Sequence, residues 1–490
     1  MNDNKTSNWL DERARQTMAQ NGFEPNFPQD AVAELTEIKS QPSGSQGDKN
    51  IADFRDLLWS SIDNASSRDL DQIEFAEQLP NGDIRILVGI ADVDLLVKQD
   101  SAIDRHAAKN TVTIYTETEI FPMLPEELST GLTSLNENED RMAIVVELVV
   151  KENGDVPGNE VFRGRVRNRA KLAYETVGEW LDEGGAIPDR VVSTAGMKEQ
   201  IELQKIASER LHKFRIEKGA LEFESIESSA VIENGEVRGI VSVKENSARK
   251  LIENFMVAAN VEMAEFLERK GFDSLRRVVK TPQHWDGIRE IAEKLGTKLP
   301  ELPDVRELAE FLAGQRQQDP DHFPDLSLSI IKLIGAGEYV VQRPGEHGDG
   351  HFGLGVRDYA HSTAPNRRYP DIVVQRLVKA AISGQPQPYT YDDLAAIAEH
   401  CNLQERAARK VERKMRKIVA ATVMKRHVGE NFDAIVTGVT THGTFARILR
   451  PPVDGRIVRG EDGLRVGQKV DVKLLSADAG NGFIDFAAHH

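Results

Sequence analysis

The sequence predicts an α+β protein with an all-β domain at its C-terminal end and a small helical segment at its start. Three observations predict it. Between Ile73 and Val243, three pairs of apolar, alternating runs flank Asn-Gly steps at Asn81-Gly82, Asn153-Gly154 and Asn234-Gly235, and Asn-Gly between such runs is a strong short-range hairpin signal. From Ser247 the apolar residues recur at helical spacing instead. From Asn431 strict alternation returns, through Phe-Asp-Ala-Ile-Val-Thr-Gly-Val and again through Val-Gly-Gln-Lys-Val-Asp-Val-Lys-Leu474.

In chain order, Asn8 is a candidate cap for a helix carrying Leu10, Ala14 and Met18 on one face, with Asn21-Gly22 as its stop. A second short helix follows Asp30. Lys39 to Asn50 is polar and rich in breakers, which marks a linker or loop. Ile73–Leu79 and Asp83–Ala91 form the first hairpin, Arg141–Val161 the second and Ser229–Val243 the third. Ser247–Lys270 carries Leu251, Phe255, Met256, Met263, Phe266 and Leu267 as a helix that stops at Gly271. The boundaries expected from these changes are a helical segment and linker over 1–50, a catalytic-sized α+β domain over 51–428 and the all-β domain over 429–490.

At 490 residues the chain has room for about three domains of ordinary size. The formal net charge of −17 argues against a nonspecific polyanion binder, so any nucleic-acid path must be locally basic. Two stretches supply such charge. Arg163, Arg165, Arg167, Arg169 and Lys171 alternate at strand spacing, and nine Lys and Arg residues from Arg406 to Arg426 face only Glu405 and Glu412. Either is a solvated surface or one wall of a path for RNA. The single cysteine, Cys401, excludes an intramolecular disulfide framework and a thiolate zinc cluster. No eighteen apolar residues run together and the start is polar, so a cytoplasmic protein is expected, without membrane contact.

The chemistry gathers in Ser61-Ile-Asp-Asn-Ala-Ser-Ser-Arg-Asp-Leu-Asp-Gln-Ile-Glu74, where Asp63, Asp69 and Asp71 precede an apolar strand pattern. Hard carboxylate oxygens suit magnesium, which takes a few of them together with water and substrate phosphate. On its own the stretch is equally a solvated acidic turn.

Tyr359-Ala-His-Ser-Thr-Ala-Pro-Asn-Arg-Arg-Tyr-Pro-Asp371, preceded by His351-Phe-Gly-Leu-Gly355, resembles the signature of the ribonuclease II and ribonuclease R family. The acidic stretch resembles that family's metal-binding loop, and Thr113-Ile-Tyr-Thr-Glu-Thr-Glu-Ile-Phe-Pro-Met-Leu-Pro125 resembles a third segment. The likeness runs from about Asp53 to the C-terminus. Larger relatives carry cold-shock-type domains ahead of the catalytic one, and some fifty residues leave no room for a pair, so an N-terminally reduced form is expected. The resemblance implies an RNB-type catalytic domain followed by an OB fold of the kind named after a ribosomal protein. In that barrel Phe432, His442 and Phe445 are candidates to stack on bases, the phenylalanines being equally suited to its core.

The implied activity is 3′-to-5′ hydrolysis of single-stranded RNA to nucleoside 5′-monophosphates, with Mg2+, or else Mn2+, as cofactor. Carried over by position, Asp71 and Arg367 are catalytic, and Asp63, Asp69, Asp71 and Gln72 hold or orient the metal. Tyr115, Phe223, Glu253, Arg368 and Glu412 are RNA contacts, with Arg368 alternatively structural. His361 reads as a packing residue. No redox cofactor is expected, and a monomer is the default expectation. Gln72 departs from the family, which has a fourth aspartate there. The alternative is therefore a catalytically weak or inactive RNA-binding relative, unless another carboxylate such as Glu74 or Asp92 fills the vacancy.

Overall fold

A computed structural model describes residues 3–40, 51–224, 227–233, 236–243, 245–320, 322–346, 348–441 and 443–489. Two helices, α1 (Asp3–Gln20) and α2 (Gln29–Ser40), open the chain. Asn8 lies inside α1, so it is not the cap expected from the sequence. The stop at Asn21-Gly22 is as expected: Gly22 takes φ +88, and the Phe23 N–H donates back to the Met18 carbonyl. The linker expected over 39–50 falls, from residue 41 on, outside the described residues.

The central sheet uses β1 (Ala52–Asp53), β2 (Trp59–Asp63), β3 (Gln72–Gln78) and β4 (Ile84–Ala91). After α3 (Ala102–Asn110) comes a short ribbon, β5 (Ile114–Tyr115) with β6 (Ile120–Phe121), and the sheet resumes with β7 (Asp140–Val150) and the long β8 (Asn159–Ala173). The strand order is β1-β8-β2-β3-β4-β7, and β7 pairs again with β8. β8 meets β7 through its first half and β2 through its second, so five strands close on themselves. Gly82 at φ +86 makes the expected turn between β3 and β4.

Helices α4 (Tyr174–Glu183), α5 (Asp189–Ser193) and α6 (Met197–Glu217) follow, then a hairpin of β9 (Glu227–Glu233) and β10 (Glu236–Val243). Its turn residues 234 and 235 lie outside the described residues. The helix expected from Ser247 is α7 (Ser247–Arg269), capped by the Asn246 side chain and ended at Gly271, φ +74. β11 (Ser274–Val278) pairs with β12 (Glu338–Gln342) across three helices, α8 (Trp285–Lys294), α9 (Val305–Gln318) and α10 (Phe323–Ile334), which share their own apolar cluster. The main core lies between the sheet and α6, α7 and α11 (Tyr369–Ile382).

The 34-residue α12 (Tyr391–Met424) starts at a Thr390–Asp393 capping box. It leads to a closed barrel of β13 (Asn431–Thr440), β14 (Gly443–Leu449), β15 (Pro452–Arg459), β16 (Lys469–Asp478) and β17 (Phe483–His489). Alternate residues of these strands fill the barrel, and Ala420, Ala421 and Met424 of α12 join them. Leu10, Ala14 and Met18 of α1 pack with Val411, Met415 and Ile418 of α12 and with Ile114 and Phe121 of the ribbon. Among the described residues no helix is long and apolar enough to cross a membrane.

Candidate active site

Three segments far apart in sequence are stitched together by main-chain hydrogen bonds. Buried Leu70 anchors the loop between β2 and β3: its N–H donates to Ser134 Oγ at 2.9 Å, and its carbonyl accepts from Leu135 at 2.9 Å. The Asp71 carbonyl accepts from Ala91 N–H at 3.0 Å. The signature segment is tied to the Tyr115 segment by Thr113 N–H on the Arg367 carbonyl (3.0 Å) and Tyr369 N–H on the Thr111 carbonyl (2.8 Å). It is tied to the acidic loop by Asn366, whose N–H donates to Asp71 Oδ1 at 2.9 Å. The Thr133 hydroxyl holds the Asn366 side-chain oxygen at 2.6 Å.

The result is a buried carboxylate beneath an accessible guanidinium. Asp71 is 2% exposed, and its Oδ2 lies 3.6 Å from Arg367 Nε, whose side chain is 49% exposed. Burial pushes the Asp71 pKa up to about 7, against the pull of Arg367 and of the Asn366 N–H, and Asp69 raises it further. Asp69 is also raised, chiefly by burial and in part by Asp63. The Tyr115 hydroxyl donates to Asp69 Oδ2 at 3.4 Å, and the Tyr115 N–H donates to Glu412 Oε1 at 3.2 Å. Asp63, Asp69, Asp71, Tyr115, Arg367 and Glu412 thus form one neighbourhood.

The site is not the ready-made metal cage that the sequence suggests. Among the described residues no three His, Cys, Asp or Glu side chains converge on a point where they could hold an ion. Each expected aspartate already has protein partners: Asp63 accepts from Ser67 Oγ and from Asn64 N–H, Asp69 from Tyr115, and Asp71 from Asn366. Gln72 is buried on β3. Even so, the donor set fits a hard divalent cation. Magnesium is commonly held by one or two carboxylates with water and phosphate oxygens completing its shell, and here buried acid outweighs the single charge of Arg367.

Other expected contacts divide. Arg368 takes the structural place that was its alternative: its Nε and Nη2 donate to both oxygens of fully buried Asp371, at 2.9 and 2.7 Å, which fixes the start of α11. Phe223 and Glu253 line a separate cavity with His212, Arg215 and Arg316; Phe223 also packs against the α8–α10 cluster. His361 accepts or donates at Nδ1 with the Tyr339 hydroxyl, 2.7 Å away, and burial followed by Arg368 and Arg277 holds its pKa well below the usual value. In the barrel, Phe432 is partly buried and packs against the core. Phe445 is half-buried opposite Gly438 and Arg456, and His442 lies outside the described residues.

Sequence reasoning missed several neighbours. Asn366 acts through its main chain, which no side-chain pattern reveals. Arg249 sits 4.5 Å from the Tyr174 ring centroid and donates to Asn64 of the acidic loop at 3.1 Å, yet it reads as one surface charge on a helix. Phe483 is 63% exposed on β17, on the strand face it shares with Asp485, opposite the buried Ile484 and Phe486.

Residues 51–384 match the RNB domain family, and residues 430–489 match the RNase II-type exonuclease C-terminal S1 domain. Ribonuclease R of Vibrio cholerae is 31% identical over 93% of this chain and 58% of its own length; the chain spans little more than half of such relatives. Mycoplasma genitalium RNase R in complex with ribose-methylated single-stranded RNA superposes with a TM-score of 0.86 at 22% identity, covering 97% of this chain and 78% of that one. A more distant likeness, TM-score 0.66 at 17% identity over 88% of this chain and 53% of the other, is to yeast Ssd1, described as a pseudonuclease. A match that takes in the acidic loop, the Tyr115 segment and the Arg367 turn together places the chain in the ribonuclease II and ribonuclease R family.

Proposed function

We propose that this chain is a divalent-metal-dependent, 3′-to-5′ hydrolytic exoribonuclease that takes single-stranded RNA and releases nucleoside 5′-monophosphates. The observation that carries the reading is the buried Asp71 carboxylate beneath the accessible Arg367 guanidinium, with Tyr115 beside both. Arg367 offers a planar, permanently charged fork that binds two oxygens of the scissile phosphate. The Asn366 N–H donates to buried Asp71, and the carboxylate so fixed faces that guanidinium. The Tyr115 ring, 41% exposed, supplies a stacking face for a terminal base, worth roughly 1–3 kcal/mol and indifferent to base identity. Asp63, Asp69 and Asp71 are the residues that would hold Mg2+ or Mn2+. Bound there, the cation would neutralise charge at the phosphate and acidify the water that attacks phosphorus.

In the same reading the catalytic unit spans 51–428 and the barrel at 429–490 receives incoming RNA, with α1 bracing the Tyr115 ribbon at Phe121 and Ile114. The rival is an RNA-binding relative without turnover, favoured by Gln72; a fold that is shared with a pseudonuclease does not decide between them.

A 5′-labelled oligoribonucleotide incubated with Mg2+ tests the proposal. A ladder that shortens from the 3′ end, with mononucleotides released, supports it. Asp71→Asn is expected to lower turnover by at least about 10²-fold, since charge placed for the transition state is lost, while RNA binding survives. Uncut RNA bound by the wild type establishes the rival.

A further inference from the structure

We propose that Arg15 of α1 is a positioning residue for Tyr115, so that the N-terminal helix holds the face on which the last base of the RNA stacks. The inference rests on the stacking role given to Tyr115 above. The RNB match begins at residue 51, so the family likeness assigns Arg15 no part.

Tyr115 stands on little structure of its own. Its ribbon has two residue pairs, Ile114 with Phe121 and Tyr115 with Ile120, and a lone two-stranded hairpin is marginal in water. Side chains alternate along a strand: Ile114 and Phe121 are buried with Leu10, Ala14 and Met18 of α1, while Tyr115 and Ile120 are exposed. That apolar seat is non-directional, so the set of the tip is left to polar contacts.

Arg15 supplies them. Its guanidinium pairs with Glu119 at the tip of the ribbon, lies 5.5 Å from the Phe121 ring centroid, and donates from Nη1 to Asn26 Oδ1, between α1 and α2, at 2.8 Å. The Glu119 carboxylate accepts from Arg15 through Oε1, and among the described residues its buried Oε2 has no hydrogen-bond partner. From Glu119 the link to Tyr115 is short. The Glu119 carbonyl accepts from Thr116 N–H (3.1 Å) and Thr116 Oγ1 (2.6 Å), and Glu119 N–H donates to Thr116 Oγ1 (3.0 Å). Whatever fixes Glu119 therefore fixes Thr116, the residue that follows Tyr115. α12 holds the same segment through Arg416 Nε, 3.4 Å from Glu117 Oε1, and through Glu412 on the Tyr115 N–H. Removing Arg15 leaves the tip to α12 and strips a part-buried carboxylate of its cation; the acid then turns to solvent and takes the turn with it.

The experiment measures the binding of two 2′-O-methylated pentaribonucleotides in EDTA, one complete and one abasic at its 3′-terminal position, to the full chain as wild type, Arg15→Met, Tyr115→Ala and the double variant. Wild type is expected to prefer the complete pentamer by at least about fivefold, the low end for one base on one aromatic. Tyr115→Ala is expected to lose that preference, and Arg15→Met to lose most of it while binding the abasic pentamer as wild type does. The double variant is expected to match Tyr115→Ala. A full preference retained by Arg15→Met would overturn the proposal, as would a double variant that binds the complete pentamer more weakly than Tyr115→Ala, which means that Arg15 acts elsewhere. Glu119→Leu, which removes the ribbon's end of the same pair, decides the matter if Arg15→Met does not fold. An unaltered preference in Tyr115→Ala fails the stacking reading itself. Failure at Arg15 alone is told apart from it, because there Tyr115→Ala moves the preference and Arg15→Met does not.

Discussion

β8 and the second half of α12 carry comparable runs of positive charge, and the fold treats them in opposite ways. On β8, Arg163 reaches Asp92, Arg167 Nε donates to Asp140 at 2.6 Å, Arg169 donates to the Arg55 carbonyl and Lys171 to the Ser67 carbonyl. Four of the five basic side chains of the run are taken up by neighbouring strands and loops. On α12, Arg406, Lys410, Arg413 and Lys417 are exposed and hold no ion pair among the described residues, while the opposite face packs against α1 and the barrel. Of the two stretches expected to wall an RNA path, β8 is therefore the less available. Strand spacing shows which way charges point, but the acids that neutralise them lie 27 to 71 residues away. Arg367 and Arg368 repeat the contrast in miniature, one accessible above Asp71 and the other closed on Asp371.

That contrast breaks most visibly at the adjacent arginines. Arg368→Ala leaves Asp371 buried without its partner and is expected to cost about 3–5 kcal/mol of stability, read by denaturant unfolding. Arg367→Ala should unfold like wild type but lose about 10²- to 10³-fold in turnover, the scale of one missing donor to a transition-state charge. Equal melting of the two would show that they share one role. Next in size, Arg163→Met removes a charged partner from Asp92 while Lys379 stays, an expected loss of about 1.5–3 kcal/mol with RNA affinity unmoved. Smallest in stability is the quadruple change of Arg406, Lys410, Arg413 and Lys417 to Gln. It should stay within about 0.5 kcal/mol per site, yet lower the slope of log affinity against log salt by roughly 0.7 for each phosphate no longer neutralised. An unchanged slope would make α12 a solvated face like any other.

The same logic explains what was legible beforehand. Hairpins signalled by Asn-Gly and the helix ending at Gly271 were readable, because turn chemistry is local. The N-terminal cap was misplaced, since α1 begins five residues before Asn8. The closure of the sheet through the two halves of β8 carries no local mark at all. At the site, Asp71, Tyr115 and Arg367 could be found from a motif. Their partner Asn366 could not, because it acts through a backbone N–H, and neither could the fate of Arg368, which pairs with Asp371 in the first turn of its own helix. Glu74 reads, with Asp92, as a carboxylate near Gln72, but its complete burial without a hydrogen-bond partner among the described residues has no mark in the sequence.

α12 has one further consequence. Its 34 residues contain neither Gly nor Pro, so it runs unbroken for about 50 Å, with Glu412 touching the Tyr115 backbone partway along and Met424 seated in the barrel. Force applied to the barrel is thus delivered along a stiff rod to the Tyr115 segment, not dissipated in a hinge. A displacement of the barrel would therefore be felt at the Tyr115 main chain, through the Glu412 contact.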